Sequence, residues 1–213
     1  MCKLKSAVIL KDRIFVPDYD SHSDMLKELG ITDDYLGASK KFVRAELSPK
    51  DGDVFSHIDG WVFKVDQDIT PEWFTEEEYK PKMVEAVKEW AKTHIHIGVD
   101  GLNIESGKNH YIKDCKNVEI CGSATVENIC GSATVKNIYD SATVKYIYGS
   151  ATVKNICGSA TLISCKYNRW ENANSLIIAE NATFKDNYGK TIYQSGDYKL
   201  ISIESGKKIG ESK

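Results

Sequence analysis

The spacing of apolar residues divides the chain into two regimes. From Ile95 onward the apolar positions come in short bursts, Ile95/Ile97, Leu102/Ile104, Tyr111/Ile112 and Val118/Ile120. They then settle into five consecutive nine-residue copies running from Cys121 to Cys165, of which Cys-Gly-Ser-Ala-Thr-Val-Lys-Asn-Ile is typical. A fixed short period predicts stacked, near-identical β units. Within Ser-Ala-Thr-Val-Lys-Asn-Ile, alternation sends Ala and Val to one face and Ser, Thr and Lys to the other. The alternation breaks at Asn, so that Ile also faces inward and the chain turns a corner. Gly-Ser, or Asp140-Ser141, supplies the next turn. Nine residues are too few to enclose an apolar core, whereas two copies, about 18 residues, are enough for a two-sided coil.

The fold class expected is therefore an α+β N-terminal domain followed by an all-β parallel solenoid, a β-roll of about 18 residues per coil. This register makes columns of residues one coil apart. Glu127 lies beside Lys145, Lys136 beside Lys154, and Thr125, Thr143 and Thr161 form one outward ladder with Thr134 and Thr152 on the other side. Cys121 shares a column with Tyr139 and Cys157. An antiparallel meander of the same strands is the alternative, and the break at Asn argues against it. Beyond Cys165, Leu176 to Ile178 and Ala182 to Phe184 read as further rungs. Thr191 to Tyr193 and Leu200 to Ile203 read as closing strands.

The first regime mixes periods. Leu4 to Leu10 and Arg13 to Val16 predict a hairpin or two short strands, broken at Lys11-Asp12 and closed by Pro17. Ser21 or Ser23 offers an N-cap to a short helix carrying Met25, Leu26 and Leu29, with Gly30 just past its end. Lys41 to Leu47 alternates as a half-buried strand, Phe42, Arg44 and Glu46 against Val43, Ala45 and Leu47, and Trp61 to Val65 alternates again. Pro71 opens a helical segment with an acidic first turn (Glu76, Glu77, Glu78) and an apolar stripe of Met83, Val84, Val87, Trp90 and Ala91. The predicted domains are a head over 1–95, a solenoid over 96–204 with its clearest repeats at 121–165, and a flexible tail over 205–213.

Composition adds limits. The net charge of −3 is split, with 14 Lys+Arg against 19 Asp+Glu in residues 1–98 and 14 against 12 in 99–213. Neither half is basic enough to argue for nucleic acid. The longest apolar run near the start, Ala7 to Leu10, is too short for a signal core or a membrane span, so a cytoplasmic protein with no membrane partner is expected. The repeat cysteines Cys121, Cys130, Cys157 and Cys165 share turn positions with Tyr139 and Tyr148, which suits reduced thiols rather than bridges.

Candidate chemistry lies mainly in the head. Removal of Met1 would leave Cys2 with a free α-amine beside its thiol, an arrangement suited to a nucleophile or an aldehyde trap. Asp66 and Asp68 fall on one side of an extended segment, as an acid/base or divalent-metal pair would. The catalytic set to be tested for convergence is Cys2, His22, Asp66 and Asp68. His94 and His96, two apart, would point the same way on a strand, with His110 as a third ligand, but no established metal spacing completes them. No cofactor motif is found, and neither a cofactor nor a metal is expected.

The opening Met-Cys-Lys-Leu-Lys-Ser, the stretch Asp18-Tyr-Asp-Ser-His22, Phe42-Val-Arg-Ala-Glu-Leu47, Val65-Asp-Gln-Asp-Ile-Thr-Pro-Glu-Trp73 and the Gly-Ser-Ala-Thr-Val run together resemble a group of uncharacterised phage and prophage proteins. The resemblance covers nearly the whole chain. It implies a viral or mobile-element origin and a β-solenoid C-terminal half, and it brings no activity or site residues with it. The function expected is a non-enzymatic binding or assembly module: a head that contacts a protein or small-molecule partner, on a solenoid that serves as scaffold or homo-oligomerisation surface. The alternative is a head-domain enzyme or covalent trap built on Cys2.

Overall fold

The computed structural model describes residues 5–33 and 41–163, together with the backbone of five later strands up to residue 211. The chain divides into two compact units, Met1–His94 and Ile95–Lys213.

In the first unit, β1 (Lys5–Leu10) and β2 (Ile14–Phe15) form the expected hairpin. The helix α1 (His22–Glu28) is capped by Ser21, whose side chain accepts from the Asp24 amide. It ends where Gly30 takes φ +67°. There the Ile31 amide reaches the Leu26 carbonyl and the Gly30 amide the Lys27 carbonyl, the paired bonds of a left-handed helix stop. β3 (Phe42–Ser48) and β4 (Val62–Val65) complete an antiparallel sheet of order β2-β1-β3-β4. A single 3-10 turn, Ile58–Gly60, precedes β4.

The helix α2 (Glu76–His94) starts later than Pro71 suggests. Pro71 makes a turn closed by the Phe74 amide, and Thr75 caps the helix by accepting from the Glu78 amide. α2 packs on β1, β2 and the 3-10 turn, and α1 packs on β1. The sheet is thus covered on both faces at β1, and Lys5 to Ile9 are all buried. That corrects one alternation: Phe42, on the face expected to be polar, is buried with Val8, Met25 and Leu26.

Lys5 is also inside, at 2 % exposure. Its ammonium donates to Asp20 at 2.7 Å and to the Tyr19 carbonyl at 3.1 Å, and it lies 4.9 Å from the Trp90 ring centre. Burial pushes its pKa below the ordinary lysine value, while the Asp20 carboxylate pulls the other way.

In the second unit the described residues form fourteen strands: β5 (Ile95–Ile97), β6 (Asn103–Ile104), β7 (His110–Lys113), β8 (Val118–Ile120), β9 (Thr125–Cys130), β10 (Thr134–Ile138), β11 (Thr143–Ile147), β12 (Thr152–Ile156), β13 (Thr161–Ile163), β14 (Leu176–Ala179), β15 (Thr183–Asp186), β16 (Tyr193–Ser195) and β17 (Lys199–Ser202) stack as a roll, and β18 (Lys208–Glu211) folds back on it. The even members from β6 to β16 make one sheet, and the odd members with β18 make the other. Pairing is parallel throughout, save β18 on β17. This overturns the meander, and it places a strand inside the segment read as tail.

Within the repeats Thr143 pairs with Thr125 and Thr161, and Thr134 with Thr152, which is one coil per 18 residues. Ala124, Val126, Ile129 and their counterparts through Leu162 fill a single core, with exposures of 0–8 %. Coil length is not constant. Ile95 pairs with Tyr111 and Asn103 with Glu119 before the repeats, and Thr161 pairs with Thr183 after them. Register shifts in the β7/β9 and β8/β10 pairs absorb the change before the repeats, and one in the β12/β14 pair accompanies the longer coil after them.

The turns use left-handed backbone. Gly122, Gly131, Gly149 and Gly158 have φ from +59° to +74°, and Asp140 takes +59° in the same column as Gly122. Asp tolerates this region, and its carboxylate repays the strain by accepting from the Gly122 amide at 3.1 Å. One coil up the other corner, Asp114 accepts from the Ser132 amide (2.7 Å) and hydroxyl (3.0 Å), which hold its carboxyl below the usual range.

Candidate functional site

The head brings three potential ligands together. On β3 the residues Phe42, Arg44 and Glu46 face the α1 side of the sheet, because they pair with Leu10, Val8 and Ser6, and Val8 packs under α1. β4 adds Lys64 opposite Glu46, and Asp66 follows, its amide bonded to the Arg44 carbonyl. His22, the first residue of α1, lies over this edge of the sheet. Its Nδ1 is 3.4 Å from Asp66 Oδ2, and one ligand atom from each of His22, Glu46 and Asp66 lies within 4.8 Å of the others.

The histidine ring is held in one orientation. Its Nε2–H donates to the Ala45 carbonyl at 3.3 Å, so the neutral ring presents the Nδ1 lone pair to Asp66. Beside the cluster stands Ser6, directly opposite Glu46 on the same face and 1 % exposed. Its amide donates to Asp20, but among the described residues its Oγ has no hydrogen-bond partner.

Of the residues singled out from the sequence, His22 and Asp66 therefore converge. Asp68 is exposed and is not among the converging ligands, since Gln67 turns the chain by bonding the Arg44 amide and the Phe42 and Ile69 carbonyls. Cys2 lies outside the described residues. Glu46 was legible only as an outward strand position. Nothing local in the sequence shows that α1 sets a histidine above it.

The histidine pair is corrected. His94 is the last residue of α2, not a strand residue, and it faces Asp18 at 3.0 Å with its Nδ1 2.8 Å from the Trp90 carbonyl. His96 belongs to β5, and its ring stacks on His110 at 5.8 Å. The helix runs on to the end of the first unit because the stripe Val87, Trp90, Ala91 continues to His94. His110 Nε2 is taken up by the Ser106 carbonyl at 2.9 Å.

The solenoid presents columns rather than a cluster. Asn137 bonds Glu119 at 3.3 Å and Asn155 bonds Asn137 at 2.9 Å, one coil at a time. Lys145 bonds Glu127 at 2.5 Å, while Lys136 and Lys154 are exposed. Cys121, Cys130 and Cys157 form no disulfide, in keeping with the columns they share with Tyr139 and Tyr148; Cys115 is likewise unbridged, and Cys165 lies outside the described residues. Among the described residues no helix is long and apolar enough to cross a membrane. Comparison with protein families, with curated proteins and with solved structures finds no match for this chain.

Proposed function

We propose that the protein is a non-enzymatic binding or assembly module of phage or prophage type, acting in the host cytoplasm, in which the head contacts a partner and the solenoid is scaffold and oligomerisation surface. The observation that carries this reading is the division of labour within each coil. Ala, Val and Ile fill the interior, so what the solenoid offers is its outside: columns of Thr, Asn and Lys repeated every 18 residues. Repeated spacing of ~4.8 Å between equivalent groups suits contact with another repetitive surface, a second copy included. The origin rests on the segments quoted from the head and the repeat.

Sedimentation of the full chain over a range of concentrations tests the reading. Self-association is expected, and either Thr134→Arg/Thr152→Arg or Thr125→Arg/Thr143→Arg should abolish it while the circular dichroism stays native. A chain that remains monomeric at every concentration removes the oligomerisation role.

A further inference from the structure

We propose that His22, Glu46 and Asp66 form a binding site for a first-row divalent cation of the Mn2+ or Zn2+ kind. The argument begins with the ring. With Nε2–H committed to the Ala45 carbonyl, a lone pair on Nδ1 faces the lone pairs of Asp66 Oδ2 across 3.4 Å. Two acceptors at that distance repel unless a cation stands between them. Ligands held ~2.0–2.2 Å from a tetrahedral metal are ~3.4 Å apart, so this pair is already at metal-bridging separation. A backbone carbonyl on the far ring nitrogen is also how metal-binding histidines are ordinarily fixed.

A proton could bridge His22 and Asp66 as a simple ion pair, but it would leave two features without a role. Glu46 turns a third donor atom toward the same point, within 4.8 Å. Ser6, 1 % exposed, keeps an unpartnered Oγ on the same face directly opposite Glu46. A buried hydroxyl without a partner is unfavourable. It becomes useful once a metal draws Glu46 and a bound water inward, giving it an acceptor. One imidazole and two carboxylates suit Mn2+ and Zn2+ better than Mg2+ or Ca2+, which prefer all-oxygen sets. Lys64, opposite Glu46, is the competing cation on this face.

Mn2+ is the probe, because thiolates prefer Zn2+ and the cysteines of the solenoid would confuse a Zn2+ titration. Calorimetry and Mn2+ electron paramagnetic resonance on the full chain should find one tight site per chain. His22→Gln, Glu46→Gln and Asp66→Asn should each weaken it by ~10-fold or more, and Asp68→Asn should leave it unchanged. Glu46 and Asp66 are partly exposed, so their variants report on binding even if the histidine variant unfolds. Ser6→Ala should leave the metal-free melting temperature unchanged or higher and still weaken Mn2+. Lys64→Gln should strengthen Mn2+ binding. A wild-type chain that takes up no Mn2+, or uptake insensitive to all three ligand variants, overturns the site.

Discussion

In the solenoid the neighbour of a buried side chain is its own counterpart one coil away, Val126 beside Val144 and Ile129 beside Ile147. In the head Val8 meets Met25 and Leu26 of α1 and Phe42 of β3, unlike side chains from two other elements. The first arrangement needs only a period, and every coil is stabilised by nearest neighbours of the same kind. The second needs particular residues to meet across long sequence separations, and it is the one that gathers unlike chemical groups, such as His22, Glu46 and Asp66, at one place. Repetition gives regularity and surface. Irregular topology gives a site.

The largest effect should come from spoiling one rung. Val144 is fully buried between counterparts, so Val144→Asp is expected to cost more than ~3 kcal/mol by placing a carboxylate where no partner exists. Thr143→Val, on the half-buried outer ladder, should stay within ~0.5 kcal/mol. Equal melts for the two variants would mean that the inward and outward faces are misassigned.

Next is the ion pair that holds a fully buried lysine in the head. Asp20→Ala leaves the Lys5 ammonium buried without its carboxylate and removes the acceptor of the Ser6 amide, a loss of ~3 kcal/mol. Lys5→Met, which removes the charge and keeps the volume, should cost under ~1 kcal/mol. If denaturant titrations rank the two the other way, the ion pair is a surface decoration.

Turn glycines test the close approach of successive coils. A Cβ at Gly122 would sit 2.2 Å from the Glu105 backbone oxygen in addition to the strain of φ +59°. Gly122→Ala should therefore cost ~2 kcal/mol, against ~1 kcal/mol for Gly52→Ala, where φ is +71° and nothing lies near. Similar losses at both positions would remove the steric part of the argument.

The smallest effect is in the pH profile. Asp114 has a lowered pKa in the folded protein because the Ser132 amide and hydroxyl bind its ionised form. A depressed carboxyl contributes stability above its unfolded value of ~3.9, and that contribution fades as pH falls through the folded value. The difference in melting temperature between wild type and Asp114→Asn should thus shrink from neutral pH toward acid. A difference that grows on acidification would contradict the assigned hydrogen bonds.

The regularity that makes the solenoid stable also made it readable. Alternation through Ser-Ala-Thr-Val, its break at Asn and the turn at Gly-Ser located the core, the corners and the Glu127–Lys145 pair before any coordinates. What it hid were departures from the period, such as the shorter coils around Ile95 and Asn103, which depend on register shifts that no local pattern announces. In the head, local signals placed the strands and both helices. They gave no sign that Phe42 and Lys5 are buried, because a second layer covering both faces of β1 is a tertiary fact. For the same reason the sequence marks His22 and Asp66 as candidates without joining Glu46 to them, and only spacing brings in Asp68.

The central claim, that two nonapeptides make one coil, is tested most directly by deletion. Removing 18 residues, Cys130 to Ile147, joins Ile129 to Tyr148 and lets β9 pair with β13 in the register β11 now uses. Ser150 then takes the place of Ser132 beside Asp114, and the costs are the Glu127–Lys145 pair and the Asp140 contact to Gly122. Removing nine residues, Cys130 to Ile138, keeps the local sequence but moves every later rung to the opposite sheet. Thermal melts of the two variants followed by β-sheet circular dichroism should show the longer deletion folded with near-native stability and the shorter one strongly destabilised or aggregated. A nine-residue deletion as stable as the longer one would make the single nonapeptide the structural unit and contradict the two-sided roll.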